Sequence, residues 1–405
     1  MKNIAVLAFS GGLDTTYCAM HLSKDLGLEV HSVLVNTGGF DKNELAEIEK
    51  KAYALGVAHH ESIDATGEYY DKCIRYLIFG NVLKNNTYPL SVSAERVFQA
   101  MAIAKYAAGV GAKYIAHGST GAGNDQVRFD MIFGIMCPNA EIITPIRDHK
   151  LSREEEITYL KSHGVERDWA KSLYSVNKGI WGTSVGGKET LTSDQYLPEE
   201  AFPTQVSMKG EEVLEIEFIK GEPIGVNGKE YASPVEAIQA IQALAGPYGI
   251  GRDIHVGDTI IGIKGRVGFE AAAPLIIIKA HHTLEKHVLT KWQLQLKESQ
   301  AQWYGTLLHE GHFMEPAMRD IEAFLQSSQS HVTGTVKVQL MPYRFYVLGI
   351  HSAYDLMSNS FASYGEMNNS WSGEDVKGFA KVASIQNMIY RHVSQQQEES
   401  LHGKG

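Results

Sequence analysis

The opening of the chain constrains its fold more than any other stretch. Residues 3–10, "NIAVLAFS", form an apolar run that reads as a fully buried strand, and "AFSGGLDTT" at 8–16 is a glycine loop. Thr15 to Leu26 then reads as a helix with Tyr17, Met20, His21 and Leu22 near one face, stopped by Gly27. The same order recurs. "EVHSVLVNTGG" (29–39) reads as a second buried strand, Asp41 to Leu55 as a charged helix and "AHHESID" (58–64) as a short strand. "AERVFQAMAIAKYAAGVGA" reads as a helix, and "KYIAHGSTG" as a strand entering another glycine loop. This alternation predicts an α/β fold, with a doubly wound parallel sheet over residues 1–170 and ligands at the carboxyl ends of its strands.

After about residue 170 the texture changes. "KGIWGTSVGGKETLTSDQYLPEEAFPTQ" is rich in Gly, Thr and Ser, and "EVLEIEFIKGEPIGVNG" alternates like a half-buried strand pair with a Val-Asn-Gly turn signal. Two long helices are expected around 234–246 and 280–303, which gives an α+β domain over 171–373. Residues 374–393 place Val376, Phe379, Val382, Ala383, Met388 and Ile389 on an apolar stripe before the polar "QQQEESLHGKG", so 374–405 is expected to be a helix and a polar tail that meets its own core or a neighbouring subunit. No internal repeat is visible.

At 405 residues and 44% hydrophobic, the chain can bury a substantial core. The apolar start is too short for a secretory core and no later run could span a bilayer, so a cytoplasmic protein with no membrane partner is expected. Cys18, Cys73 and Cys137 lie far apart, which argues against a disulfide framework or a zinc site. A formal charge of −10 without a basic stripe argues against nucleic acid and favours a small-molecule substrate.

The first loop lacks the Lys of a Walker loop and the Gly-x-Gly-x-x-Gly of a dinucleotide loop. Its glycines let backbone N–H groups turn inward at a helix N-terminus, which cradles an anion, and Ser10, Thr15 and Thr16 add hydroxyls. Asp14 is the odd member, because a carboxylate beside phosphates repels them unless a metal ion or an amide intervenes. The loop is therefore better suited to gripping a departing pyrophosphate than to passing on a γ-phosphate. In "AHGSTGAGNDQVRFD" (116–130), Thr120, Asn124, Asp125, Gln126 and Arg128 crowd around three glycines. Asn, Asp and Arg together can satisfy an ammonium and a carboxylate at once, as an amino-acid ligand requires.

"AFSGGLDTT" and "HGSTGAGNDQVRFD" resemble the signatures of the argininosuccinate synthase family, which belongs to the N-type ATP pyrophosphatases. "TYPLSVSAER" (87–96), "YSVNKGIWGTSVGG" (174–187) and "YGIGRDIHVGDTIIGIKGR" (248–266) are weaker echoes of the same family, so the resemblance spans nearly the whole chain. It implies an adenine nucleotide alpha-hydrolase-like N-terminal domain, then a synthetase and multimerisation domain, a C-terminal oligomerisation helix and a homotetramer. The implied reaction condenses citrulline with aspartate in arginine biosynthesis. The ureido oxygen attacks the α-phosphate of ATP, pyrophosphate leaves, and the aspartate amine displaces AMP from the citrullyl-adenylate. Carried over residue by residue, Ala8, Ser10, Gly11, Gly12, Asp14, Thr15, Thr16, Val35 and Gly118 would bind ATP, with Mg²⁺ held mainly by the phosphates and no protein metal site. Thr120, Asn124 and Asp125 would hold aspartate. Tyr88, Ser93, Asn124, Arg128, Ser175, Ser184, Asp258 and Phe269 would line the citrulline site. Asp14, Asp125 and Arg128 would carry the chemistry by positioning and charge, with no covalent nucleophile.

Several family positions differ here. Ala122 replaces a Lys, Asn177, Lys178 and Gly179 replace Asp-Glu-Asn, and Val256-Gly257-Asp258 stands where the family has Val-Glu-Asn. Phe269 replaces a Tyr before Glu270. The family's Glu faces the α-ammonium of citrulline, so either Asp258 substitutes from one residue along, or the amine is acylated, as in N-acetyl- or N-succinylcitrulline, with Lys178 and Lys188 to meet an added carboxylate. Two readings from other classes stand beside the ligase. A tRNA thiolase or amidating synthetase would need a cysteine pair or a glutaminase part, and a non-catalytic ATP sensor would not need Asn124, Asp125 and Arg128. "HEGH" (309–312) lacks His-Glu-x-x-His spacing and reads as polar packing, and the pairs His59-His60 and His281-His282 have poor metal geometry. His117 is expected to orient its loop, and Trp181 and Trp371 to anchor theirs.

Overall fold

The computed structural model describes residues 3–167, 169, 174–362, 364–365 and 370–402. The predicted boundary near 170 falls at residues 168 and 170–173, outside the described residues. The chain divides into two compact units, Met1–Tyr354 and Asp355–Gly405.

In the first unit, β1 (Ile4–Ala8), β2 (Glu29–Asn36), β3 (His59–Asp64), β4 (Tyr114–Ala116) and β5 (Glu141–Ile143) form a parallel sheet in the order β3-β2-β1-β4-β5. The order reverses between β1 and β4, and crevices at such reversals are where open α/β sheets bind ligands. Leu7 pairs with Ala116 across those two strands, so the glycine loop after β1 and the loop after β4 leave the sheet side by side. The first helix runs Leu13–Met20 and widens into a π turn over His21–Asp25, and Gly27 at φ 63° ends it as the sequence predicts.

Two antiparallel sheets follow. One is β11 (Arg252–Asp258), β12 (Lys264–Glu270), β7 (Gly182–Gly186) and β6 (Ser175–Gly179), in that order. The other is β10 (Lys229–Glu230), β9 (Glu222–Val226), β8 (Glu212–Ile219), β13 (Gly334–Met341) and β14 (Arg344–His351). The Val-Asn-Gly signal makes the predicted hairpin, with Asn227 and Gly228 both at positive φ between β9 and β10. Helices Pro234–Ala245 and Ala272–Val288 pack on this second sheet, and one apolar core runs from Val6 and Ile115 through Ile277 to Val336 and Leu340.

Two helix boundaries differ from the sequence reading. The helix expected over 280–303 is two, Ala272–Val288 and Lys291–His309. Thr290 caps the second by accepting from Gln293 N while Gln293 Oε1 accepts from Thr290 N, a capping box hidden inside a continuous periodic pattern. In the second unit, Gly373–Ala383 is followed after Ser384 by Ile385–His402, so the expected polar tail is helical as far as His402 and residues 403–405 lie outside the described residues.

A fully buried ion pair ties the helices of the first unit together. Lys297 donates to Glu285 at 2.9 Å and to the carbonyl of Phe79 at 2.8 Å, and Gln329 donates to the other Glu285 oxygen at 2.9 Å. Lys297→Met would strand the Glu285 carboxylate, so chemical denaturation should show a loss of about 3–5 kcal/mol, part of it regained when Glu285→Gln is added.

Candidate active site

The cavity at the carboxyl ends of β1 and β4 encloses about 1250 Å³. Its floor is the glycine loop. Gly11 sits at φ 72°, Gly12 is the N-cap with no side chain bonded to the helix amides, and the Thr15 and Thr16 hydroxyls donate to the Gly12 carbonyl at 3.3 and 2.6 Å. The first-turn amides are thereby left to an anion. Arg167 braces the loop through the Gly11 carbonyl at 2.9 Å, and it and Arg153 bring positive charge to the cavity wall.

Asp14 does not face the phosphate site alone. Glu156, buried on the helix Arg153–Ser162, lies beside it, and each carboxyl shifts the other's ionisation by charge or by a hydrogen bond. Burial, then the Asp14 charge and that hydrogen bond, push Glu156 from its ordinary 4.5 up to about 8. Asp14 is raised by burial against the lowering hydrogen bond.

The second loop closes over the first. A Cβ on Gly118 would lie 3.3 Å from Asp14, a tight contact that glycine relieves. His117 orients this loop as expected, meeting Asp130 through Nε2 at 2.9 Å and accepting from Ser119 N through Nδ1 at 3.2 Å. Asp125 opens the helix Asp125–Met136 and receives Arg96 Nε at 3.0 Å and Arg128 Nη1 at 2.9 Å. Burial opposes its ionisation, yet the two guanidinium charges hold its carboxyl below the usual range. Arg128 is fixed in turn by the His309 carbonyl, at 3.0 and 2.7 Å.

The remaining wall comes from the four-stranded sheet and its neighbours. Asn177 and Ser184 face each other across β6 and β7 with side chains 3.4 Å apart, and Arg96 Nη2 donates to Asn177 Oδ1 at 2.7 Å. Ser93 Oγ meets His309 Nδ1 at 3.2 Å, and Tyr88 accepts from Ser91 Oγ and Val92 N.

Of the residues singled out from sequence, Ala8, Ser10, Gly11, Gly12, Asp14, Thr15, Val35, Tyr88, Ser93, Gly118, Thr120, Asn124, Asp125, Arg128, Ser175, Ser184 and Asp258 line this one cavity. Thr16 and Phe269 do not. Thr16 is turned into its own helix by the bond to Gly12, and Phe269, fully buried on β12, packs behind Tyr88 with ring centroids 5.4 Å apart. Asp258 stands at the rim, exposed and paired with Lys264 at 2.6 Å. His309, read from sequence as polar packing, is a wall of the cavity, where burial and then the Arg128 charge push its imidazole down to about 3. Arg96, Glu95, Arg153, Glu156 and Arg167 went unassigned. Only Glu95-Arg96 left a trace, as two charges inside an otherwise apolar helix pattern.

Comparison with known proteins points to one family. A family model described as the arginosuccinate synthase N-terminal HUP domain matches residues 4–166, and one described as the arginosuccinate synthase C-terminal domain matches 174–390. The chain is 39% identical to an argininosuccinate synthase of Methanocaldococcus jannaschii over 96% of its length and 98% of the relative's. It is 37% identical to one of Dictyoglomus turgidum, over 95% and 96%, and 35% identical to one of Xylella fastidiosa, over 97% and 98%.

The raised Glu156 carboxyl has a measurable effect on stability. Glu156 binds its proton more tightly when folded, so the stability it contributes is complete below about pH 4.5 and is lost as pH rises through about 8. Between about pH 5 and 9 the thermal midpoint of the wild type should fall relative to that of Glu156→Gln, the comparison cancelling the histidines that titrate in the same range. Identical slopes would mean that Glu156 does not hold a proton in the folded protein.

Proposed function

The chain belongs to the argininosuccinate synthase family, and we propose that it joins citrulline to aspartate, with ATP cleaved to AMP and pyrophosphate, in the cavity described above. The observation that carries this reading is the side-by-side departure of the two loops from β1 and β4, with Gly118 against Asp14. A pyrophosphate grip and an amino-acid grip are thereby brought to one place.

In this reading the ATP phosphates lie over the free amides after Gly12, with Mg²⁺ carried on them and Asp14 the adjacent carboxylate. The citrulline ureido oxygen forms a bond to the α-phosphorus as the bond to pyrophosphate breaks. Arg153 and Arg167 stabilise the charge that grows on the leaving group. The aspartate amine then bonds to the activated carbon, AMP leaves, and the proton given up by the amine passes to solvent or phosphate. Asp125 holds that amine, and its carboxylate stays ionised because Arg96 and Arg128 flank it. Thr120 and Asn124 complete the aspartate site, while Tyr88, Ser93, Arg128, Ser175 and Ser184 hold citrulline. The alternatives weighed on sequence, a sensor or an acylated substrate, are not favoured by relatives that carry the name of the synthase.

The same reading takes residues 1–170 as the nucleotide-binding domain, 171–373 as the synthetase and multimerisation domain and 374–405 as the oligomerising segment of a cytoplasmic homotetramer. In support, Phe379, Val382, Met388 and Ile389 are all exposed, and no residue of Gly373–Ala383 is buried. No helix among the described residues is long and apolar enough to cross a membrane.

Purified protein given ATP, Mg²⁺, citrulline and aspartate should release pyrophosphate and argininosuccinate in equal amounts, and their absence would overturn the reading. Asp125→Asn should lower kcat/KM at least a hundredfold, about 2.7 kcal/mol of transition-state stabilisation. Light scattering should give four times the chain mass, and Phe379→Asp with Met388→Asp should reduce it.

A further inference from the structure

Glu95, on the helix Ser91–Gly109, is a buried carboxyl to which the synthase reading gives no part. It is 2% exposed, so it can act on a substrate only through a neighbour. Its Oε1 accepts from Gln99 Nε2 at 2.8 Å and from Arg96 Nη1 at 3.3 Å, and Thr37, which follows β2, hydrogen-bonds to the same carboxyl. Its Oε2 presses on β6. A Cβ at position 179 would overlap that oxygen and lie 3.0 Å from Glu95 Cδ. Gly179 does not have a positive φ, so glycine is needed there for room and not for its backbone freedom. The space left by this departure from the family pattern is where the Glu95 carboxyl sits.

The neighbour through which it acts is Arg96. That guanidinium donates from Nε to Asp125 at 3.0 Å and from Nη2 to Asn177 at 2.7 Å, while Nη1 is held by Gln99 Oε1 at 2.8 Å and by Glu95. A guanidinium is a rigid planar fork, so fixing Nη1 fixes the direction of the other edges. Asp125 lines the cavity with one oxygen on Arg96 and the other on Arg128, and a turn of either guanidinium would re-aim it. We propose that Glu95 is a positioning residue for aspartate: seated over Gly179, it holds Arg96 at the angle that aims the Asp125 carboxylate at the aspartate amine. The proposal rests on the synthase reading, which places that amine on Asp125. Burial pushes the Glu95 carboxyl up to about 7 against the pull of Arg96, so near neutral pH its part is that of a fixed acceptor more than of a full charge.

Steady-state kinetics with each substrate varied in turn tests this. Glu95→Ala frees Nη1, so KM for aspartate should rise roughly fivefold or more while KM for ATP and for citrulline move less than about twofold. Glu95→Gln keeps the size and the acceptor and should recover most of the loss. Gly179→Ala leaves Glu95 in the chain but drives its carboxyl from its place, so it should raise KM for aspartate in the wild-type background and add nothing in a Glu95→Ala background. Should Glu95→Ala not fold, Gly179→Ala against the wild type makes the same comparison. An unchanged aspartate KM in these variants would overturn the proposal, as would equal increases for all three substrates, a Glu95→Gln no better than Glu95→Ala, or a Gly179→Ala effect that persists without the carboxyl. If the wild type forms no argininosuccinate at all, the synthase reading itself fails and takes the proposal with it.

Discussion

The pairing of β1 with β4 is the constraint from which the site follows. Neighbouring strands lie about 4.8 Å apart, and parallel pairing sends their carboxyl ends the same way. Val6 and Ile115 are fully buried, and a slip of one residue would turn each into the opposite face of the sheet, so the register Leu7 to Ala116 is held by the core. Two loops far apart in sequence are thus forced to share a boundary, and Gly118 lies so near Asp14 that a side chain there would be a tight fit.

Within that frame, environment gives chemically similar carboxyls different states. Asp125 is clamped between two guanidinium groups and stays ionised, while Glu156, buried against another carboxyl, keeps its proton. Glu95, buried and only partly offset by Arg96, is pushed up to about 7. Buried charge of this kind contributes little net stability, because desolvation offsets attraction. Its yield is geometry: Arg96 reaches Asp125, Asn177 and Gln99 at once, and so joins the second loop to the antiparallel wall.

What was legible in the sequence divides along the same physical line. Features written in consecutive residues were readable: the buried strands, the glycine loop, the stop at Gly27, the Asn227-Gly228 turn and the crowded loop at 117–130. Both motifs that line the cavity belong to this group. Features that depend on partners distant in the chain were not. Glu156 sits in a "REEE" run that looks like a solvated face, and only the fold turns it toward Asp14. His309 meets Ser93 and Arg128 because the helix Lys291–His309 ends against them, and no local pattern announces that. The break at Thr290 was local and still hidden, because its capping box interrupts the chain without interrupting the apolar spacing.

The residues that depart from the family pattern fall unevenly. Asn177, Lys178 and Gly179 lie on β6, Gly257 on β11 and Phe269 on β12, all in the four-stranded antiparallel sheet, while Ala122 alone lies on the loops of the parallel sheet. The two walls do different work. In the proposed reaction the parallel sheet fixes the loops that would grip charge as it develops, where small displacements are costly. In that reaction the antiparallel wall would meet the end of the substrate that does not react, where a contact changes affinity without disturbing the chemistry. A departure there is also easily misread from one position, because alternate residues of a strand share a face: the side chain missing at Gly257 is room taken by the ring of His255.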